Sequence, residues 1–253
     1  MTRILVTNDD GFQAEGIRAL AEELRALGEV IVVAPDREQS ASGHSLTLQR
    51  PLRLHEHGEG WYSVDGTPTD CVNLAVLWLL RDTPPDLVVS GINNGLNLGD
   101  DVTYSGTVSA TFEASLLGLA SIAFSQEVGE GASFVRSAAL ARRIVETVLA
   151  EPPEANLLLN VNFPAGEPKG IAFARLGHRV YQQVVVEKED PRGRRYFWIA
   201  GTPEWRSDAG TDHEALSRGL VSVTPLHLDL TDYRALASMT PLRERLAREV
   251  APA

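Results

Sequence analysis

Short apolar runs alternate along this chain with stretches that carry apolar residues at helical spacing, and that alternation constrains the fold more than any other feature. Residues 3–8 read as a buried strand, and "EGIRALAEELRAL" reads as an amphipathic helix stopped by Gly28. "EVIVVAP" is a second buried strand, ended by Pro35. A β-α-β start predicts parallel strands joined by a right-handed crossover. The pattern continues after a small hairpin expected in "RPLRLHEHGEGWYSVDG". In "GTPTDCVNLAVLWLL", Thr67 suits a helix cap, Pro68 the first helical position and Asp70 the first turn. "DLVVSG" is a third buried strand, and "SGTVSATFEASLLG" a helix ended by Gly118. "LASIAFS", "SFVRSAALARRIVETVLA" and "NLLLNVNFP" extend the alternation to about residue 165. The expected fold class is α/β, a doubly wound and mostly parallel sheet.

Beyond that point the pattern changes. "RVYQQVVVEKEDPRGRRYFWIAG" is two strand-like runs about the turn "EDPRGR". An isolated two-stranded hairpin is marginal in water, so this arm, at about 180–201, is expected to pack on another subunit. "GLVSVTPL" reads as a further strand and "LASMTPLRERLAREV" as a terminal helix.

The formal net charge of −11 opposes sequence-independent binding to DNA or RNA, which needs a basic surface. One phosphate in a cleft is still allowed, because a metal ion or a helix N-terminus supplies local positive charge. The only lysines are Lys169 and Lys188, neither in a Gly-rich loop, so a P-loop NTPase is excluded. No apolar run approaches the roughly 18 residues of a membrane span, and no signal peptide is recognisable at the N-terminus. A single cysteine, Cys71, sits in a helix-like apolar stretch and reads as packing. It permits no intrachain disulfide and suits a reducing cytoplasm, the expected location.

Polar residues gather where the first three strands end. Strand one ends in Asn8-Asp9-Asp10-Gly11, strand two in Pro35-Asp36-Arg37 followed by "EQSASGHS", and strand three in Ser90-Gly91 followed by "INNGLNLGDDVTYSGT". Ligands of open α/β sheets bind at these carboxyl ends. Two carboxylates about 4 Å apart repel by roughly 4 kcal/mol at an effective dielectric near 20, and a divalent cation reverses that sign. Oxygen donors suit Mg²⁺ or Mn²⁺ better than zinc. "NDDG" reads equally as a cation-binding pair or as a turn in which Asp10 caps the next helix. Asn93 and Asn97 offer amide groups to a metal or substrate, and Asp100 and Asp101 suit either a metal or capping. Ser105, Gly106 and Thr107 open a helix whose N–H groups suit an anion. His44, after strand two, is a candidate substrate contact; His55 and His57 read as surface, and His178, His213 and His227 show no ligand spacing.

In order and combination, "ILVTNDDG", "VVAPDREQSASGHSLT", "GTPTDCV", "DLVVSGINNGLNLGDDVTYSGTVSA" and "VSVTPL" closely resemble the SurE (survival protein E) family of metal-dependent 5′/3′-nucleotidases. The resemblance implies a Rossmann-like catalytic core, assigned to residues 1–175, and a C-terminal extension over 176–253. It implies hydrolysis of nucleoside monophosphates by a metal-activated water, with one Mn²⁺ or Mg²⁺ per subunit. The implied metal ligands are Asp9, Asp10, Ser40 and Asn93. The implied phosphate-binding set is Asn97, Ser105, Gly106 and Thr107, with Asp9, Asp10 and Asn97 catalytic. It also implies a homodimer or homotetramer built through the extension. The alternatives weighed are a nucleotide-binding module without catalysis and a phosphatase forming an aspartyl-phosphate; the latter family resembles D-x-D-x-[TV] with a later lysine, whereas here the acids are adjacent.

Overall fold

The computed structural model describes residues 1–58, 60–151, 157–181, 184–200, 203–206 and 208–250 of the 253. The strands are β1 (Arg3–Thr7), β2 (Glu29–Pro35), β3 (Leu54–Gly58), β4 (Trp61–Val64), β5 (Leu87–Asn94), β6 (Ser121–Gln126), β7 (Leu158–Phe163), β8 (Ile171–Phe173), β9 (Arg179–Tyr181), β10 (Val184–Glu189), β11 (Arg195–Ala200), β12 (Pro203–Trp205) and β13 (Val221–Pro225). The helices are α1 (Glu15–Leu24), α2 (Pro68–Leu74), α3 (Gly106–Leu116), α4 (Phe134–Ala150), α5 (Asp212–Ser217), α6 (Tyr233–Ser238) and α7 (Thr240–Val250).

Nine strands form one sheet in the order β3-β4-β2-β1-β5-β6-β7-β13-β8. From β4 to β7 every neighbouring pair is parallel. The expected α/β class and doubly wound sheet are therefore present. Strand alternation sorts the apolar residues of β1 between two layers. Ile4 and Val6 face a core shared with Ile17, Leu20 and Leu24 of α1 and Ala138, Ala141 and Val145 of α4. Leu5 faces the other layer, with Cys71 and Val72 of α2 and Ala110 and Ala114 of α3. Complete burial of such aliphatic side chains contributes about 1.5–3 kcal/mol each. Parallel strands covered on both faces are what a nearly continuous apolar run encodes.

The cap expected at α2 is realised. Thr67 Oγ1 accepts from Asp70 N at 3.1 Å, while Asp70 Oδ2 accepts from Thr67 N at 2.8 Å. The small hairpin is β3–β4, and its second strand joins the main sheet beside β2. The strand expected in "GLVSVTPL" is β13, which lies between β7 (antiparallel) and β8 (parallel). The segment after residue 175 thus returns one strand to the main sheet. The late hairpin is β10–β11, paired from Val184–Ala200 to Glu189–Arg195. Its base is a separate ribbon of β9 and β12, and positions 182–183 and 201–202 lie outside the described residues.

The chain passes from β1 to β2, on to the edge strand β3 and back to β4 beside β2, then returns to β5 on the other side of β1. The β1/β5 boundary is therefore the point where strand order reverses, and that is where a crevice opens at the carboxyl edge.

Candidate active site

At the end of β1 the chain turns through Asn8-Asp9-Asp10-Gly11. Asn8 Nδ2 donates to Gly11 O at 2.9 Å and closes the turn. Gly11 has φ +96°, and a Cβ there would lie 3.2 Å from the backbone carbon of Arg37, so this position requires glycine. Gln39 N donates to Asp9 O at 2.7 Å and Phe12 N to Pro35 O at 2.9 Å, which stitches the turn to the loop after β2. Asp10 does not cap α1: the N-cap is Ala14, without a side-chain bond, and Asp10 Oδ2 instead accepts from Asn94 N at 3.2 Å.

β5 runs further than "DLVVSG" suggested, through Asn94. Its register against β6 slips between Ser90 and Asn93, three residues against two. Such a bulge re-aims the side chains beyond it. Asn93 and Asn94 then line the same cleft as Asp9 and Asp10. Asn93 Nδ2 donates to Gly95 O at 2.8 Å, which leaves its carbonyl oxygen for a cation.

α3 approaches from the side. Ser105 is its N-cap, its hydroxyl accepting from Val108 N at 3.1 Å, so the capping role expected of this stretch is also realised. Thr107 Oγ1 donates to Asp9 Oδ1. Gly106 lies against that carboxylate: a Cβ on it would sit 2.9 Å from Asp9 Cβ and 2.8 Å from Ser42 Oγ. The helix N-terminus and the buried acid are thus in contact only because position 106 has no side chain.

The result is a cleft of about 570 Å³ lined by Asp9, Asp10, Ser40, Asn93, Asn97 and Ser105, with Gly106 and Thr107 behind Asp9. Ser40 Oγ donates to Glu38 Oε1 at 2.7 Å, and Glu38 lines the cleft as well. Burial pushes the Asp9 carboxyl up to about 6, with the Asp10 charge adding to it against the Thr107 hydrogen bond. Burial also raises Asp10, and Glu38 adds to the rise. Among the described residues that line the cleft, none is Lys, Arg or His. No three His, Cys, Asp or Glu side chains are grouped for a metal among the described residues. The donor set at this point is two carboxylates, a hydroxyl and an amide oxygen, which fits a hard divalent cation that keeps several waters.

The remaining candidates fall elsewhere. Asp101 reaches the cleft but is ion-paired with Arg179, and Asp100 Oδ2 accepts from Arg179 N at 3.1 Å. His44 Nε2 lies 2.7 Å from Glu113 Oε2, and Glu113 also accepts from Asn73 Nδ2 at 2.8 Å; His44 is not among the residues lining the cleft. His57 is exposed, as expected, and stacks on Phe12.

Several contributors were not apparent from the sequence. Asn160 and Asn162, fully buried on β7, donate to Asn97 O at 2.8 and 3.1 Å, and Asn162 Oδ1 accepts from Asn97 N at 2.9 Å. Asn97 Nδ2 donates to Ser125 Oγ at 2.8 Å. The signal available was a pair of asparagines inside the apolar run "NLLLNVNFP". Asp212, also fully buried, accepts from Gly99 N and Gly177 N at 2.8 Å each and so holds the loop that follows Asn97. Nothing local to Asp212 announces a partner 113 positions away.

A family model described as "Survival protein SurE" matches residues 4–183. The 5′-nucleotidase SurE of Geobacter sulfurreducens is 54% identical over 239 residues, covering 92% of this chain and 91% of its own. That of Myxococcus xanthus is 51% identical over 241 residues, covering 94% of this chain and 92% of its own. The crystal structure of the SurE protein from Aquifex aeolicus aligns with a TM-score of 0.86 at 46% identity, covering 95% of this chain and 99% of that one.

Proposed function

This chain belongs to the SurE family, and on that premise we propose that the cleft between β1 and β5 is its hydrolytic centre. The protein is a 5′-nucleotidase, a metal-dependent phosphomonoesterase that cleaves a nucleoside monophosphate to nucleoside and phosphate. The observation that supports this site is a buried acid, Asp9, at a helix N-terminus and beside the half-buried Asp10, in a cleft whose described lining has no side-chain cation. A phosphate dianion enters such a place only with compensating charge.

Asp9, Asp10, the Ser40 hydroxyl and the Asn93 carbonyl oxygen hold one Mn²⁺ or Mg²⁺ in this reading. When bound, that ion polarises the phosphoryl group and lowers the pKa of an attacking water. The N–H groups of Gly106 and Thr107, with the Ser105 and Asn97 side chains, receive the phosphoryl oxygens, where the α3 dipole favours negative charge. Thr107 fixes the Asp9 carboxylate through one oxygen and leaves the other for the ion. With both acids engaged as ligands, neither is a nucleophile, and the phosphoryl group passes directly to water. In this reading the substrates are nucleoside 5′-monophosphates and also 3′-monophosphates.

We also propose a homodimer or homotetramer assembled through residues 176–253, with 1–175 as the catalytic core. β10 and β11 expose Val185, Phe197, Trp198 and Ile199, and α6 and α7 bury none of their described residues. No helix among the described residues is long and apolar enough to cross a membrane. The one cysteine, Cys71, is buried and permits no intrachain disulfide, which supports a cytoplasmic location.

The test of the activity is phosphate release from a nucleoside monophosphate panel after chelation and with each metal added back. Release should vanish in chelator and return with Mn²⁺ or Mg²⁺. Full release from metal-free protein would remove the cation from the account.

A further inference from the structure

The loop after β2 carries Ser40 to the cleft in a conformation that the chain does not adopt unaided. Ala41, which lines the cleft beside Ser40, has φ +58° and is the one residue other than glycine with a positive φ among the described residues. A left-handed alanine is strained and persists only where its surroundings hold it. The loop is tied at both ends. Gln39 N donates to Asp9 O at 2.7 Å; further on, Thr67 Oγ1 donates to Ser45 O at 2.7 Å and Thr47 N to Asp70 Oδ1 at 2.9 Å. Between these ties run two longer backbone bonds, Ser42 N to Gln39 O and Gly43 N to Tyr104 O, each 3.2 Å. The remaining tether among the described residues is a side chain, His44, whose Nε2 lies 2.7 Å from Glu113 Oε2.

We propose that His44 and Glu113 form a latch that holds this loop in its strained conformation and so presents Ser40 to the point where Asp9 and Asp10 meet; this rests on the reading that Ser40 is a cation ligand. Glu113 belongs to α3, the helix whose N-terminus adjoins Asp9, and is 8% exposed. Its other oxygen accepts from Asn73 Nδ2 of α2 at 2.8 Å. A carboxylate buried to this degree is costly unless both oxygens are hydrogen-bonded. An ionised carboxylate only accepts, so His44 Nε2 is the donor. The buried acid therefore draws the imidazole inward, and the imidazole draws the loop with it. The ring also meets Phe112 edge-on, with centroids 6.0 Å apart and planes at 72°. His44 is thus a positioning residue, acting on the cation site through the loop. Once released, the loop presents Ser40 only part of the time, and the apparent affinity for the ion falls by that fraction.

Two measurements test the latch, and neither reads turnover. In metal-free protein, His44→Ala should speed amide hydrogen exchange at Ser42 and Gly43, while α2 and α3 keep wild-type protection. Equilibrium dialysis with Mn²⁺ should show affinity weakened about 10-fold in His44→Ala, the low end of the loss when a group that supports a metal ligand is removed. His44→Gln, whose amide nitrogen can replace Nε2, should lie closer to wild type than to His44→Ala. Glu113→Ala should match His44→Ala, and the double variant should bind no more weakly than either, because the two residues act as one unit. Ala41→Gly added to His44→Ala should bind Mn²⁺ more tightly than His44→Ala alone, since glycine removes the strain that the latch opposes. Wild-type exchange or wild-type Mn²⁺ affinity in His44→Ala would overturn the latch, as would additive weakening in the double variant. A role confined to stability would lower the melting temperature and leave Mn²⁺ affinity unchanged. If Glu113→Ala does not fold, the two His44 variants still decide the matter, because His44 is exposed. Wild-type protein that binds no Mn²⁺ would sink the cation reading itself, a failure that the wild-type titration alone reveals.

Discussion

Asp9 makes the metal-free protein pay for its own active site, and the size of that cost follows from the structure. The residue is 5% exposed, and burial raises its carboxyl from 3.8 to about 6. Near pH 8 it is ionised in both folded and unfolded chains, so the folded state carries a penalty of about 3 kcal/mol at 1.36 kcal/mol per pKa unit. Below pH 6 the folded protein takes up the proton first. Apo stability from this group therefore rises as pH falls through 6, and the penalty is gone below about pH 4, where both states are protonated. Asp9→Asn keeps an acceptor for Thr107 and removes the charge. In chelator at pH 8 it should melt higher than wild type, by roughly 6–12 °C at about 2–4 °C per kcal/mol for a chain of this size. The gap should narrow through pH 6 and close near pH 4. Comparing the two proteins at each pH cancels the other titrating groups, among them Asp65, Asp190 and Asp229, whose hydrogen bonds hold them low. Saturating Mn²⁺ should reverse the order at pH 8, because only wild type keeps both acid ligands. Calorimetric melting from pH 4 to 8 is the assay. An Asp9→Asn protein that is less stable than wild type in chelator at pH 8, or a gap independent of pH, would refute the buried-charge reasoning.

Gly106→Ala places a methyl group 2.9 Å from Asp9 Cβ; kcat/KM should fall by about 100-fold, the scale of a 1 Å misplacement at a reacting centre, with the fold retained by circular dichroism. Asn162→Leu removes two hydrogen bonds from the Asn97 backbone; unfolding free energy in urea should fall by about 1–3 kcal/mol and kcat should drop with it. Replacing the β10–β11 arm by a short Gly-Ser turn should lower the mass seen by light scattering, and an unchanged mass would show that the arm packs within its own subunit.

The legible parts of this fold are those in which local pattern and tertiary role coincide. β1, β2 and β6 are apolar runs because parallel strands are covered on both faces, and Gly28 and Gly118 end segments that read as helices. The acid pair was visible because Asp9 and Asp10 are adjacent at a strand end, and the carboxyl-edge rule pointed to the loops that meet there. What stayed hidden depends on contacts across long separations. That Asp10 turns to Asn94 rather than capping α1 follows from the register slip in β5, which leaves no mark on "DLVVSGINN". Asn160 and Asn162 look like polar interruptions of a strand until β7 lies next to β6 and the Asn97 loop folds over both. The antiparallel insertion of β13 between β7 and β8 is likewise invisible in "GLVSVTPL", because a short apolar strand encodes its burial and not its neighbours.

The central claim is that one divalent cation sits between Asp9, Asp10, Ser40 and Asn93, and anomalous diffraction from crystals grown with Mn²⁺ tests it without reference to turnover. The account predicts one strong peak per subunit within bonding distance of both carboxylates, absent from Asp10→Asn crystals grown alike. A peak at another site, or no peak near Asp9 in protein that requires Mn²⁺ for phosphate release, would contradict it.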